Sequence, residues 1–165
     1  LYNQGHRRIG VIGGRPGLSR PSLSRLAGVQ SAMLRLGLPF SVEKQYAYAR
    51  FSLADGYKAM ERLLKTAPDI TAVFAMSDLM ALGAIRALQD HGLRVPQDIS
   101  VTGYDGIALG QYSIPRLATI RQGMEQLAVR SAKILLHNIK EPGTAVHEVV
   151  PFELIEGESV CTLTP

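Results

Sequence analysis

Short apolar runs alternate with longer amphipathic segments along most of the chain. Apolar runs bounded by turn residues predict buried strands of a parallel sheet; they cover residues 8–13, 44–49, 71–75 and 99–103. Apolar residues that recur at steps of three and four predict helices; these segments cover residues 21–36, 53–65 and 78–91. Gly37 and Gly92 stand where helix C-caps belong.

Strands and helices therefore alternate, and each crossover is long enough to join parallel strands. Such a sheet is covered by helices on both faces. Because crossovers between parallel strands are right-handed in nearly all proteins, the pattern predicts an α/β fold with an open, doubly wound parallel sheet.

The pattern changes after the fourth strand. A loop is predicted over 104–116, followed by an extended stretch over 118–121 and a fifth helix over 124–140. That helix carries an apolar stripe that includes Leu127, Ile134 and Leu135. Pro142-Gly143 ends it, and 147–155 predicts a pair of terminal strands.

Length and composition indicate a globular piece of a protein. The 165 residues, 46% of them hydrophobic, suit one domain or one lobe of a two-lobed domain. Since residue 1 is Leu, we expect a fragment or a trimmed product. The sequence shows neither a membrane-spanning run nor a signal-peptide pattern, and a lone cysteine, Cys161, fits a reducing cytoplasm.

Charge and motifs argue against DNA contact by this piece and against catalysis. The net charge is +4, but the arginines are scattered, no helix carries a basic stripe and no helix-turn-helix pattern occurs. The sequence lacks the serine-hydrolase elbow, the phosphate-binding P-loop and any Cys/His metal spacing. We therefore expect no enzyme activity, no cofactor and no metal.

Polar and aromatic side chains follow successive predicted strands. Ser19 and Arg25 come after the first strand, Phe51 after the second, Ser77 after the third and Asp105 after the fourth. Ligands of open parallel sheets bind outside these strand ends. An arginine, a carboxylate, a hydroxyl and an aromatic ring suit a polyhydroxylated or planar polar ligand.

Each of these side chains also has a purely structural interpretation. Ser77 or its neighbour Asp78 could cap the next helix, and Arg25 could be a solvated helix residue. Phe51 could be a hydrophobic staple. Asp105 lies in a turn-like Tyr-Asp-Gly, where Asp is common.

Several segments resemble the lactose/galactose-repressor (LacI/GalR) family in order along the chain. They are GHRRI at 5–9, RLAG at 25–28, FAMSDLMALGA at 74–84, RVPQDISVTGYD at 94–105 and PRLATIRQ at 115–122. The resemblance implies a cytoplasmic repressor with an N-terminal helix-turn-helix headpiece that binds operator DNA. It also implies a two-lobed effector domain of the type I periplasmic-binding-protein kind, a homodimer, and a sugar or purine-like effector.

This chain would then be mainly the C-terminal lobe of that effector domain. The resemblance assigns 1–117 to the C-terminal lobe, 118–143 to a crossing strand and helix of the N-terminal lobe, and 144–165 to return strands and the tail. The headpiece and most of the N-terminal lobe would be missing.

The resemblance also transfers effector contacts to positions of this chain. These are Arg25, Phe51, Ser77 and Asp105, with Ser19 and Gln122 added. Arg25 and Asp105 would grip polar groups of the effector, and Phe51 would stack on it. The chain departs from the family pattern at Ser77, Gly106 and Gly157, where many members have Asn, a second Asp and Arg.

Two other function classes compete with a repressor. A periplasmic sugar-binding protein of a transporter shares the fold, but the basic balance and the repressor-like VPQDISV and TIRQ segments disfavour it. A Rossmann-type enzyme is disfavoured by the missing catalytic groups. For a repressor, we expect the helix over 78–91 and the segment 109–114 to contact a second copy, although that helix could instead be sunk in its own core. The helix over 124–140 should not stay fully solvated.

Overall fold

A computed structural model describes residues 1–15, 17, 19–141 and 146–163 and places six strands in one sheet. The strands are β1 (Ile9–Gly13), β2 (Tyr46–Tyr48), β3 (Ala72–Ala75), β4 (Ser100–Asp105), β5 (Ala118–Gln122) and β6 (Phe152–Ile155). Their order is β2-β1-β3-β4-β5-β6. The first five strands are parallel and β6 is antiparallel to β5, which confirms the predicted open, mainly parallel sheet.

Helices follow most strands. They are α1 (Arg20–Arg35), α2 (Val42–Gln45), α3 (Leu53–Thr66), α4 (Asp78–Asp90), α5 (Ala108–Gln111) and α6 (Met124–Lys140). Ser19, Ser52 and Ser77 cap α1, α3 and α4, because each hydroxyl accepts a backbone N–H of the first turn. These caps fix the points at which the chain turns from a strand end into a helix.

Four predicted elements differ from the structure, three of them before β5. Lys44 and Gln45 were expected in a strand but lie in α2, where the Gln45 side chain accepts the Ser41 N–H at 2.9 Å and closes the turn. Strand β4 extends to Asp105 instead of ending at Gly103, because its pairing with β5 continues to the end. Helix α5 lies inside the predicted loop over 104–116.

The prediction of a pair of terminal strands over 147–155 is wrong in part. Only Phe152–Ile155 forms a strand, paired with β5, and residues 146–151 do not. The predicted break at Pro142-Gly143 lies outside the described residues.

The core lies under α3 and α4, which pack against each other and on the sheet. Met60, Leu63, Met80 and Leu88 are fully buried there, and each such side chain is worth about 1.5–3 kcal/mol. The two helices approach closely at a glycine, since a Cβ on Gly83 would overlap the α3 backbone. This packing fixes α4 against α3.

Helix α4 is mainly a core helix. Met80, Ile85 and Leu88 are buried in the chain's own core, whereas Leu79 and Leu82 are half-buried. The exposed apolar side chains of this region lie instead in the segment after β4, at Leu109, Tyr112 and Ile114. The helix therefore leaves less apolar surface for a partner than its sequence indicates.

Helix α6 has the predicted bounds but buries none of its residues. Leu127 is 41% exposed and Leu135 61% exposed, while Ile134 is half-buried. The stripe therefore does not fold back onto the chain's own lobe. Arg130 of α6 forms an ion pair with Glu148 at 2.8 Å. No helix in the described ranges is both long and apolar enough to cross a membrane.

Candidate functional site

The carboxyl ends of the parallel strands form one edge of the sheet. Phe51 follows β2, Ser77 follows β3, Asp105 ends β4 and Gln122 ends β5. Helix α1 begins just beyond β1 and brings Arg25 to the same edge, beside Asp105. The predicted common edge is therefore present, with its members arranged in strand order.

Arg25, Asp105 and Gln122 form the centre of this edge. The Arg25 guanidinium lies 3.5 Å from the Asp105 carboxylate, and the Gln122 amide donates to the same carboxylate oxygen at 2.8 Å. The side chains of Arg25 and Asp105 keep 17% and 32% of their surface exposed. The cluster is thus held in place and can still be reached by a ligand.

Two further contacts orient Arg25. Its guanidinium carbon lies 4.0 Å from the centre of the Tyr104 ring, a cation–π geometry. Another guanidinium N–H donates to the Met76 carbonyl at the end of β3. Arg25 is therefore fixed by an aromatic face, a carbonyl and a carboxylate before any ligand arrives, and the interpretation as a freely solvated helix residue is wrong.

Asp105 has an unusual backbone and environment. Its φ is 126°, and it is the one non-glycine residue of the described ranges with a positive φ. Gly106 follows with a φ of 75°, and a Cβ there would overlap the Arg121 backbone, which accounts for glycine at this departure from the family pattern. Burial raises the pKa of Asp105, and the nearby Arg25 partly opposes this.

A cavity of about 590 Å³ lies beside the cluster, between the ends of β4 and β5 and the first turn of α6. Asp105 and Gln122 form part of its wall, together with Arg121 and the start of α6. Its volume is in the range of small-molecule sites. Asp105 and Gln122 therefore connect the Arg25 contact with a space large enough for a ligand.

Phe51 lies further along the edge and is 43% exposed. Its ring packs beside Gly14, where an added Cβ would come within 3.0 Å of a ring carbon and would overlap the Ser22 hydroxyl. The backbone after β1 thus approaches Phe51 closely, and only a residue without a side chain, Gly14, fits there. Part of the ring remains available for stacking.

The two serines are already engaged by their own helices. Ser77 is 3% exposed, and its hydroxyl caps α4 at 3.2 Å from the Met80 N–H. The Ser19 hydroxyl caps α1 and donates to Ser22 at 2.7 Å. The structural interpretation of Ser77 as a helix cap is therefore correct, with Asp78 as the first helical residue.

The sequence did not reveal two residues that contact the Arg25–Asp105–Gln122 cluster or the loop beside it. Tyr104, half-buried under Arg25, carries no motif beyond its place directly before Asp105. Asp78 was considered only as a cap, yet it is fully buried and contacts the loop after β4. An acidic residue directly after a capping serine, in an otherwise apolar segment, is the signal that could have marked Asp78.

A family model described as a periplasmic binding protein-like domain matches residues 1–160. The chain belongs to this family. Its relatives are transcriptional regulators, which confirms the resemblance to lactose/galactose repressors. The alignment with the "Probable HTH-type transcriptional repressor ExuR" of Bacillus subtilis is 39% identical and covers 99% of this chain and 49% of that protein. The alignment with the HTH-type transcriptional regulator CelR of Thermobifida fusca is 38% identical and covers 84% of this chain and 40% of that protein.

Solved structures agree with this family assignment. A complex of the regulator CelR with cellobiose has a TM-score of 0.91 at 36% identity, covering 96% of this chain and 48% of that one. A lac repressor dimer bound to operator and the anti-inducer ONPF has a TM-score of 0.89 at 30% identity, covering 98% and 55%. This periplasmic binding protein-like chain spans about half the length of the curated relatives it matches.

Proposed function

We propose that the chain is the effector-sensing domain of a bacterial transcriptional repressor. Its effector is a sugar or another small polar metabolite, and the DNA-binding headpiece belongs to a part of the protein outside these residues. The Arg25–Asp105–Gln122 cluster beside the cavity carries the proposal. The regulator names of the relatives support it.

The chemistry of the cluster suits hydroxylated ligands. Asp105 offers carboxylate oxygens to ligand hydroxyls, while Arg25 and Gln122 donate hydrogen bonds. Hydrogen bonds with an ionised partner are about twice as strong as neutral ones. Arg25 is already oriented by Tyr104 and Met76, so binding costs little side-chain entropy.

The other three residues of the proposed site differ in how much they can offer a ligand. Phe51 supplies a partly exposed ring for stacking on an apolar sugar face. Ser77 and Ser19 can add only a shared contact, because their hydroxyls already cap helices. We retain all six side chains as the proposed site: Arg25, Phe51, Ser77, Asp105, Ser19 and Gln122.

The proposed lobe boundaries place 1–117 in the C-terminal lobe, 118–143 in the crossing strand and helix, and 144–165 in the return strands and tail. The solvated apolar stripe of α6 supports a packing partner outside this chain for that helix. In this proposal β5, which pairs with β4, is the crossing strand, and Gly123 leads from its end into α6.

For the whole protein, we propose a cytoplasmic homodimer that binds operator DNA. The exposed side chains of Leu109, Tyr112 and Ile114 are the proposed contact with the second copy. The transporter-linked periplasmic alternative is not favoured, because the named relatives are HTH-type regulators. The same relatives disfavour catalysis as the function.

The test is an effector titration of the intact regulator that contains this chain. Calorimetry with cellobiose and ribose, the sugars named in complexes of two similar regulators, gives the starting affinities. Arg25→Ala removes a charge-assisted contact worth roughly 1.5–3 kcal/mol, so we expect affinity to fall about tenfold or more.

Arg86→Ala is the matched control, because Arg86 pairs with Asp90 on the outside of α4, and its affinity should equal the wild-type value. Unchanged affinity in Arg25→Ala would contradict the proposed site.

A further inference from the structure

Asp78 is a fully buried carboxylate at the first position of α4. Within the described part of the chain, no arginine, lysine or histidine nitrogen lies within 4.0 Å of its oxygens. Burying a charge without a counter-ion is costly unless hydrogen bonds and local dipoles compensate. The helix N-terminus supplies part of that compensation, and the rest comes from two hydrogen bonds.

Each carboxylate oxygen of Asp78 accepts one hydrogen bond, and the two donors lie in different parts of the chain. The Thr119 hydroxyl of β5 donates to Oδ1 at 2.5 Å, and the Ile107 N–H, just after β4, donates to Oδ2 at 2.7 Å. The carboxylate also fills the space beside Gly103, where an added Cβ would overlap it. Gly103 and Thr119 are paired neighbours in the sheet, so Asp78 joins α4 to both β4 and β5.

These are the two strands that carry the centre of the proposed site. Asp105 lies two residues beyond Gly103, and Gln122 three residues beyond Thr119. The turn between Asp105 and Ile107 contains two consecutive positive φ angles, 126° and 75°. A non-glycine residue in that conformation persists only when its surroundings hold it there. The Ile107 N–H bond to Asp78 is the anchor directly after this turn.

We propose that Asp78 is a positioning residue that holds Asp105 in its ligand-facing conformation. The inference rests on the proposed effector site and assigns Asp78 no contact with the effector itself. Removing the carboxylate frees Ile107, lets the Asp105 turn relax, and loosens the contact between Asp105 and Gln122 without altering any ligand-binding side chain.

Four variants of the intact regulator separate positioning from simple stability. Asp78→Ala removes both hydrogen bonds, whereas Asp78→Asn keeps an oxygen for Ile107 and turns its amide toward Thr119. Thr119→Val removes only the β5 contact. Leu88→Ala is the matched control, because Leu88 is fully buried on the same helix about three turns away and its loss destabilises the core.

The first readout is amide hydrogen exchange at Ile107 without a sugar. We expect exchange to rise about tenfold or more in Asp78→Ala relative to Leu88→Ala, and to stay near wild type in Asp78→Asn and Thr119→Val. Protection of Ile107 that persists in Asp78→Ala would overturn the proposal. Hydrogen exchange needs no ligand, so this measurement tests the proposal even when neither sugar binds the wild-type protein.

The second readout is calorimetric affinity for whichever of cellobiose and ribose the wild type binds. Asp78→Ala should weaken binding about tenfold, while Leu88→Ala, Thr119→Val and Asp78→Asn should stay within about threefold of wild type. Equal weakening in Leu88→Ala would show a structural role alone and overturn the proposal. Full affinity in Asp78→Ala would do the same. If Arg25→Ala also binds as wild type, the effector site itself is wrong.

Discussion

At the scale of single residues, Tyr104 shows how the site is built on side chains that need not touch a ligand. Its ring supports the Arg25 guanidinium at 4.0 Å. Tyr104→Leu removes the aromatic face, and a partly buried cation–π contact is worth about 1 kcal/mol, so effector affinity should fall about fivefold. Calorimetry measures this, and Tyr104→Phe, which keeps the ring, should bind as wild type. Equal losses in both variants would contradict a role for the ring face.

The burial of His6 leads us to expect that the stability of the fold depends on pH. It is 1% exposed, lies 3.0 Å from the Thr71 hydroxyl, and contacts the Cys161 carbonyl at 3.1 Å. Burial lowers its pKa below the ordinary 6.5, partly opposed by the bond to Cys161. Because the unfolded chain then binds the proton more tightly, stability is full above about pH 6.5 and falls as the pH drops toward the lowered pKa.

Urea unfolding at pH 7.5 and at pH 5.5 measures this dependence. His6→Gln should be less stable at both values but should show a smaller difference between them. His91→Gln, which changes an exposed histidine, should keep the wild-type difference. A wild-type stability that rises on acidification through this range would contradict the prediction.

At the scale of elements, the described residues leave the apolar stripe of α6 largely uncovered. Leu135 is 61% exposed here, so Leu135→Glu should leave the unfolding free energy of the isolated 165-residue chain nearly unchanged. In the intact regulator, where we propose that the stripe is covered, the same change should cost about 2 kcal/mol or more. Chemical denaturation of both proteins gives the comparison.

Lys133→Glu, an exposed position on the same helix, is the control and should be neutral in both proteins. Equal effects of Leu135→Glu in the two proteins would mean that nothing outside these residues covers α6.

Elements with strong periodicity were predicted well from the sequence, and those set by local hydrogen bonds were not. Helix α6 has the predicted bounds because its apolar spacing is regular from end to end. The short helix α2 depends on the bond from Ser41 to the Gln45 side chain, which periodicity does not reveal. In the site, sequence placed Arg25 and Asp105 at one edge. It did not reveal the contact of Tyr104 with α1 or that of Asp78 with β5, because these contacts join elements far apart in the chain.

At the scale of the whole molecule, the proposed self-association depends on the segment after α5. Tyr112 is 84% exposed and Ile114 88% exposed, an unusual degree for large apolar side chains. Replacing both with Asp should shift the intact regulator from dimer to monomer in sedimentation velocity. Leu34→Asp, at an 83% exposed position on α1, is the control and should leave the dimer intact. A dimer unaffected by the Tyr112 and Ile114 changes would place the interface elsewhere.

The contact between His6 and the Cys161 carbonyl has a consequence for how the polypeptide folds during synthesis. It joins groups 155 positions apart, and the Leu163 N–H donates to the Gln4 carbonyl beside it at 2.8 Å. Pairings this distant raise the contact order and slow folding. The segment just before β1, the first strand of the sheet, therefore makes these contacts only after residues 161–163 have left the ribosome. Until then His6, which is buried in the folded chain, stays exposed on the nascent chain, and chaperones have time to bind the incomplete fold.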